Sequence, residues 1–191
     1  MLELIKSARS YRRFHQEPVD VTVLNRLVDC ARLGGSAANL QPLKYMIVDT
    51  PELNSEVFNC TAWAGYLRDW PGPQFDERPV AYIVILEDRT IAKNALIDVG
   101  IAAQNIVLAA AEQGIGACMI GSLKREPLRD VLGVASDMRI ALVVALGYPA
   151  ERIVLESVGD TGSVEYYRDE NGVHHVPKRS FNEVVLTIKN R

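Results

Sequence analysis

Residues 80–86, VAYIVIL, and residues 140–146, IALVVAL, enclose between them the run AKNALIDVGIAAQNIVLAAAEQ at 92–113, and the reading of these three segments decides the fold. The two outer runs are short, rich in β-branched residues and mostly bounded by turn residues, which predicts buried strands. The middle run is too long for a strand and apolar on most sides, so it predicts a central buried helix over Ala92–Gln113. Its most apolar part, Ile97–Ala111, is interrupted by Asp98, Gln104 and Asn105 and falls short of the roughly 20 residues that span a bilayer.

Working outward, Val23, Leu24, Leu27, Val28 and Ala31 recur at helical spacing, predicting a helix over Asp20–Leu33 that Gly34 and Gly35 stop. Tyr45–Val48 reads as another buried strand, Ala117–Ile120 as a further apolar run, and Pro127–Leu132 as a short helix. Pro18 limits any opening helix. Gly147, Tyr148 and Pro149 are expected to end the last long strand, and Ala150–Val176, polar and turn-rich, reads as a surface excursion. The apolar pattern Phe181, Val184, Val185, Leu186 and Ile188 suggests an ending that packs on something. Helices and strands alternate too irregularly for a doubly wound sheet, which favours an α+β or mixed layered arrangement.

The chain has 191 residues, enough for one domain with a sizeable core. A net charge of −3 argues against a protein whose main task is neutralising nucleic-acid phosphates. Cys30, Cys60 and Cys118 are widely spaced and odd in number, indicating neither a disulfide framework nor a zinc site, and Cys30 and Cys118 read as inert core thiols. Met1–Phe14 lacks the layout of a secretory signal, so a cytoplasmic location is expected, with no membrane and no nucleic-acid partner. His15, His174 and His175 have no metal-ligand spacing, and hydrolase and kinase signatures are absent.

Four segments can carry chemistry. ARSYRRF at 8–14 surrounds Ser10 with Arg9, Arg12 and Arg13, donors suited to phosphate or another electron-rich group; the competing reading is a solvated basic helix end. GGSAANLQP at 34–42 places Ser36, Asn39 and Gln41 in a glycine-opened loop that can wrap a ligand or simply cap a helix. GIGACMIGS at 114–122 permits close approach of backbone to a flat group, or a tight helix-to-strand turn, but it is not a dinucleotide fingerprint. VPKRSF at 176–181 adds Lys178 and Arg179, which are equally readable as a surface basic pair.

Taken in order, ARSYRRF, GGSAANLQP, GIGACMIGS, ALGYP at 145–149 and VPKR resemble the nitroreductase family of flavoproteins across essentially the whole chain. The resemblance implies an α+β fold with a central mixed, largely antiparallel sheet and helices on both faces. It also implies a homodimer whose C-terminal segment extends onto the partner, and two FMN molecules at the interface. Arg9, Ser10 and Arg12 of one chain and Ser36, Ala37 and Asn39 of the other would touch each FMN. Arg9 and Arg179, with Lys178 beside them, would hold the phosphate and ribityl end, Arg12 would face the pyrimidine edge, and the backbone of Met119, Ile120 and Gly121, on to Ser122, would lie along the ring. No protein side chain is then the catalytic group. The implied reaction is ping-pong transfer from NADH or NADPH through FMN to a nitroaromatic, quinone or similar small-molecule acceptor.

One position departs from the family pattern: Ala8 stands where many members carry the first of two arginines, so weaker FMN retention is expected unless Lys178 or Lys6 compensates. The segment Trp63–Phe75 reads either as a lid over the ring or as the core packing of a helix. Other readings are reductive dehalogenation or flavin consumption on the same fold, a non-catalytic flavin-binding module, and a homodimeric scaffold without cofactor.

Overall fold

The structure is a computed structural model and describes residues 1–186, so Ile188 of the expected apolar ending lies outside the described residues. Two compact units make up the chain: Met1–Trp63 with Pro71–Ala150, and Ala64–Trp70 with the residues from Glu151 on.

The first unit is built on five strands, β1 (Phe14–His15), β2 (Leu43–Val48), β3 (Ala81–Asp88), β4 (Gly116–Ile120) and β5 (Met138–Pro149). The path runs β1-β5-β3-β2, with β4 on β5, and every ladder between these strands is antiparallel. Within this unit's described residues the parallel contact is an isolated bridge between Ser10 and Ala117. The expected α+β fold and largely antiparallel sheet are therefore present. β3 is buried at all eight positions, and its side chains alternate between two cores. Ala81, Ile83 and Ile85 meet helices α2 (Val21–Arg32) and α4 (Leu96–Glu112) on one face, while Tyr82, Val84 and Leu86 meet α3 (Pro51–Asn59) and α5 (Arg125–Leu132) on the other. A bulge opposite Ile85 and Leu86 leaves Ala141 unpaired, which puts Ile140 on the same face as Val143 and Ala145.

Local chemistry explains the helix limits. The Asp20 carboxylate accepts the Thr22 N–H at 2.7 Å and caps α2, and Gly133 at φ 63° closes α5. In α4 the stripe Val99, Ala102, Ala103, Ile106, Val107 and Ala110 is buried. Its alanines let α2 approach closely enough that a β-carbon on Gly34 would come within 3.0 Å of Ile101.

Several limits differ from expectation. The opening helix α1 (Leu2–Ser7) stops well before Pro18, because the chain must leave it to reach β4. β5 continues through Gly147, Tyr148 and Pro149, since Phe14 and His15 pair with its last two residues. The second unit is not a featureless excursion: β6 (Ile153–Ser157), β7 (Tyr167–Arg168) and β8 (His174–Lys178) form a sheet in the order β6-β8-β7, followed by α6 (Phe181–Val184). Cys60 and Cys118 are buried, and burial pushes the Cys60 thiol up, but Cys30 is only half-buried and is no core thiol.

Candidate functional site

The bridge at Ser10 joins two of the four candidate segments. The Tyr11 N–H donates to the Ala117 carbonyl at 3.0 Å, which lays Arg9–Arg12 beside the strand that carries Met119 and Ile120. Arg9 comes off the end of α1 and donates from Nη2 to the Ile5 carbonyl at 2.6 Å, while its buried Nε has no hydrogen-bond partner. Arg12 is 8% exposed, and its Nη1 donates to the Ser10 carbonyl at 3.1 Å. The Ser10 side chain is exposed. One four-residue stretch thus carries two guanidiniums held by backbone carbonyls and an exposed serine, donors suited to an anion or an electron-rich heterocycle. Arg13 turns elsewhere, to Glu77 at 3.3 Å.

In β4 the pleat sends Ala117 into one core and Cys118 and Ile120 into the other, leaving Met119 exposed and Gly121 exposed beyond the strand end. The room at Gly116 is taken by the chain itself: a β-carbon there would lie 3.0 Å from Tyr11. The flat group that this glycine admits is the tyrosine ring. Gly121 faces open space, with its nearest neighbour, Leu142, at 3.9 Å.

The third segment is held at the other end of α4. The Ser36 hydroxyl donates to Asp98 at 2.5 Å, and the Ala37 N–H donates to the same carboxylate at 3.3 Å. Ala38, Asn39 and Gln41 all take left-handed backbone, at φ 50°, 55° and 51°. Such conformations are uphill for residues with a β-carbon and persist where surroundings over-determine them, a pattern that marks functional loops. Asn39 is exposed at the crest. Asp98, 4% exposed, was legible only as an interruption of an apolar run; a buried acid at the start of a helix was the available signal. Burial, with the Asp98 charge adding to it, pushes the Tyr45 hydroxyl up to about 12.

Within one chain these clusters are anchored at opposite ends of α4, whose 17 residues span roughly 26 Å. Lys178 and Arg179 belong to the second unit, both exposed, with Arg179 paired to Glu183 at 3.6 Å. Ala8 is 7% exposed and packs in the core, and Lys6 pairs with Glu3 at 2.8 Å.

The segment Trp63–Phe75 contains no α-helix, so of its two readings the packed helix is not what the structure shows. Trp63 packs on the second core and stacks on Phe58 at 5.8 Å, whereas Phe75 is 77% exposed. In the second unit Tyr66 lies against Tyr166 at 4.9 Å, and Trp70 lies under the Arg168 guanidinium at 4.8 Å.

Comparison with known proteins bears on the family and the fold. A family model described as the nitroreductase family matches residues 5–148. A relative from Methanothermobacter thermautotrophicus, provisionally named an NADH dehydrogenase/NAD(P)H nitroreductase, is 29% identical over 157 residues, covering 79% of this chain and 78% of its own. An FMN reductase (NADPH) from Bacillus subtilis is 25% identical over 163 residues, covering 78% of this chain and 66% of its own. Among solved structures, a nitroreductase family protein from Streptococcus pneumoniae TIGR4 superposes with a TM-score of 0.72 at 18% identity, covering 98% of this chain and 99% of the other. An FMN-dependent nitroreductase from Clostridium difficile R20291 superposes at 0.69 with 24% identity, covering 85% and 94%.

Proposed function

This chain belongs to the nitroreductase family, and from that premise we propose that it is an FMN-dependent oxidoreductase, passing electrons from NADH or NADPH to a nitroaromatic, quinone or similar small acceptor by a ping-pong mechanism. The observation that carries the reading is the bridge between Ser10 and Ala117, which sets two guanidiniums and a hydroxyl beside β4.

The residues present fit FMN. Arg9 keeps a buried Nε without a partner, and that spare donor capacity supports the phosphate role that the resemblance implies for it. Arg12, held by the Ser10 carbonyl, is assigned to the pyrimidine edge, where its fixed positive charge would offset negative charge. Ser10 supplies an exposed hydroxyl, and the backbone at Met119, Ile120 and Gly121 borders the ring. Bound FMN supplies hydride chemistry, so the protein's own part is to bind, orient and polarise. The assignment of Lys178 and Arg179 rests on the resemblance.

A homodimer completes the proposal, with Ser36, Ala37 and Asn39 supplied by the partner to each flavin. Four features support it. The two clusters are anchored at opposite ends of α4 within one chain. Leu96 and Ile97 stand 61% and 76% exposed on the first turn of that helix, an apolar face suited to a second copy. Among the described residues β2 pairs only with β3, which leaves a free sheet edge, and Phe181, Val184, Val185 and Leu186 are exposed, as an arm reaching a partner would be.

The test is the absorption spectrum of the purified protein with added FMN, followed anaerobically by NADH and then NADPH. Bleaching by either nucleotide is expected. Bound flavin that neither nucleotide bleaches would overturn the catalytic reading, and failure to bind FMN would overturn the cofactor.

A further inference from the structure

We propose that Asp98 is the positioning residue of the Ser36–Asn39 loop, holding it in the left-handed conformation in which it meets flavin. The inference rests on the reading that Ser36, Ala37 and Asn39 contact FMN, and it adds a residue that the motif comparison does not assign.

Asp98 is the third residue of α4, where the positive end of the helix dipole favours a carboxylate. It is 4% exposed and takes two bonds from the loop, the Ser36 hydroxyl at 2.5 Å and the Ala37 N–H at 3.3 Å. The Ser36 oxygen in turn accepts the Gln41 N–H at 2.9 Å. One carboxylate thereby ties both ends of the segment that contains the left-handed residues Ala38, Asn39 and Gln41. Ser36 precedes the short 3-10 turn Ala37–Asn39 but makes no side-chain cap bond to it; its oxygen accepts from Gln41 beyond the turn while its hydroxyl hydrogen goes to Asp98. Without the acid, three uphill backbone conformations lose their common restraint and the loop relaxes toward right-handed geometry.

The full chain is to be compared with Asp98→Ala, Asp98→Asn, Ser36→Ala and the control Ile106→Val, a buried change two turns along the same helix. Amide exchange of residues 36–41 is read without FMN, and FMN affinity by flavin-fluorescence titration. Asp98→Ala is expected to speed exchange at Asn39, Leu40 and Gln41 at least tenfold and to weaken FMN binding at least tenfold. Asp98→Asn, which keeps an accepting oxygen, should fall between. Ser36→Ala should match Asp98→Ala, and the double variant should add little. Ile106→Val should lower Tm while moving neither reading. Exchange and affinity within twofold of wild type in Asp98→Ala would overturn the proposal. A wild-type chain that takes up no FMN would instead overturn the flavin reading, and the exchange data would still decide whether Asp98 holds the loop.

Discussion

Tyr11 lies against Gly116 so closely that a β-carbon at position 116 would come within 3.0 Å of the tyrosine Cβ, Cγ and Cδ2. The contact seats the arginine segment on β4. Gly116→Ala is therefore expected to cost about 1–3 kcal/mol in stability through overpacking and to weaken FMN binding as Arg9 and Arg12 shift. Gly121→Ala separates the two effects, since that position opens on space: stability should stay within about 0.5 kcal/mol while flavin affinity falls. Denaturant melts and flavin titration of both variants check this.

Ala8 answers the missing family arginine in physical terms. It is a core residue, 7% exposed, and Lys6 is engaged by Glu3, so in the proposed site the phosphate load would fall on Arg9 among the cations of α1 and its exit. Arg9→Ala should weaken FMN by about 1.5–3 kcal/mol, the worth of a charge-assisted bond, when measured by titration at fixed salt. Ala8→Arg should not restore affinity, because it drives a charge into the first core; its signature is a lowered Tm.

In the proposed site Arg12 would bear on electronics more than on retention. Its buried guanidinium holds a fixed positive charge, and Arg12→Ala should lower the reduction potential of bound flavin and slow bleaching by NAD(P)H. A spectroelectrochemical titration reads this, and an unchanged potential would remove the role.

How far the fold could be read from sequence depended on where each element's partners lie. β3, β5, α2 and α4 were legible because their apolar periodicity is local. The bridge of Ser10 to Ala117 and the bond of Ser36 to Asp98 were not, since each joins residues far apart in sequence that only the tertiary fold pairs. β8 was hidden because its first residue is a buried histidine, His174, and because Pro177 speaks against a strand. That proline is tolerated since β7 pairs β8 only at His174 and His175, leaving the far part of that edge open.

His175, on β8, lies between two carboxylates. Its Nδ1 meets Glu156 at 2.9 Å, its Nε2 meets Asp169 at 3.4 Å, and its ring stacks on Tyr167 at 4.7 Å. The bond to Glu156 first, and Asp169 after it, hold the imidazole pKa above its ordinary 6.5 against an opposing effect of burial. Because the folded value exceeds the unfolded one, the charged ring's contribution to stability is complete below about 6.5 and is lost as pH rises through the folded value. The sheet β6-β8-β7 should show faster amide exchange above that pH, and His175→Gln should flatten the step. An NMR titration placing His175 at or below 6.5 would refute it.

Ile97 and Asp98 are consecutive residues with opposite fates, one 76% exposed and the other 4%. In the proposed homodimer Ile97 is covered by the partner while Asp98 fixes the loop delivered to the partner's flavin, so assembly and cofactor binding share one helical turn. Ile97→Glu places a charge on that apolar face without disturbing the core, and it should leave Tm of the dilute protomer nearly unchanged. It should shift the chain from dimer to monomer in light scattering and weaken FMN binding at least tenfold, because each flavin then loses Ser36, Ala37 and Asn39. A monomeric variant that retains wild-type affinity would show that one chain holds FMN alone, and the partner's share in the site would have to be withdrawn.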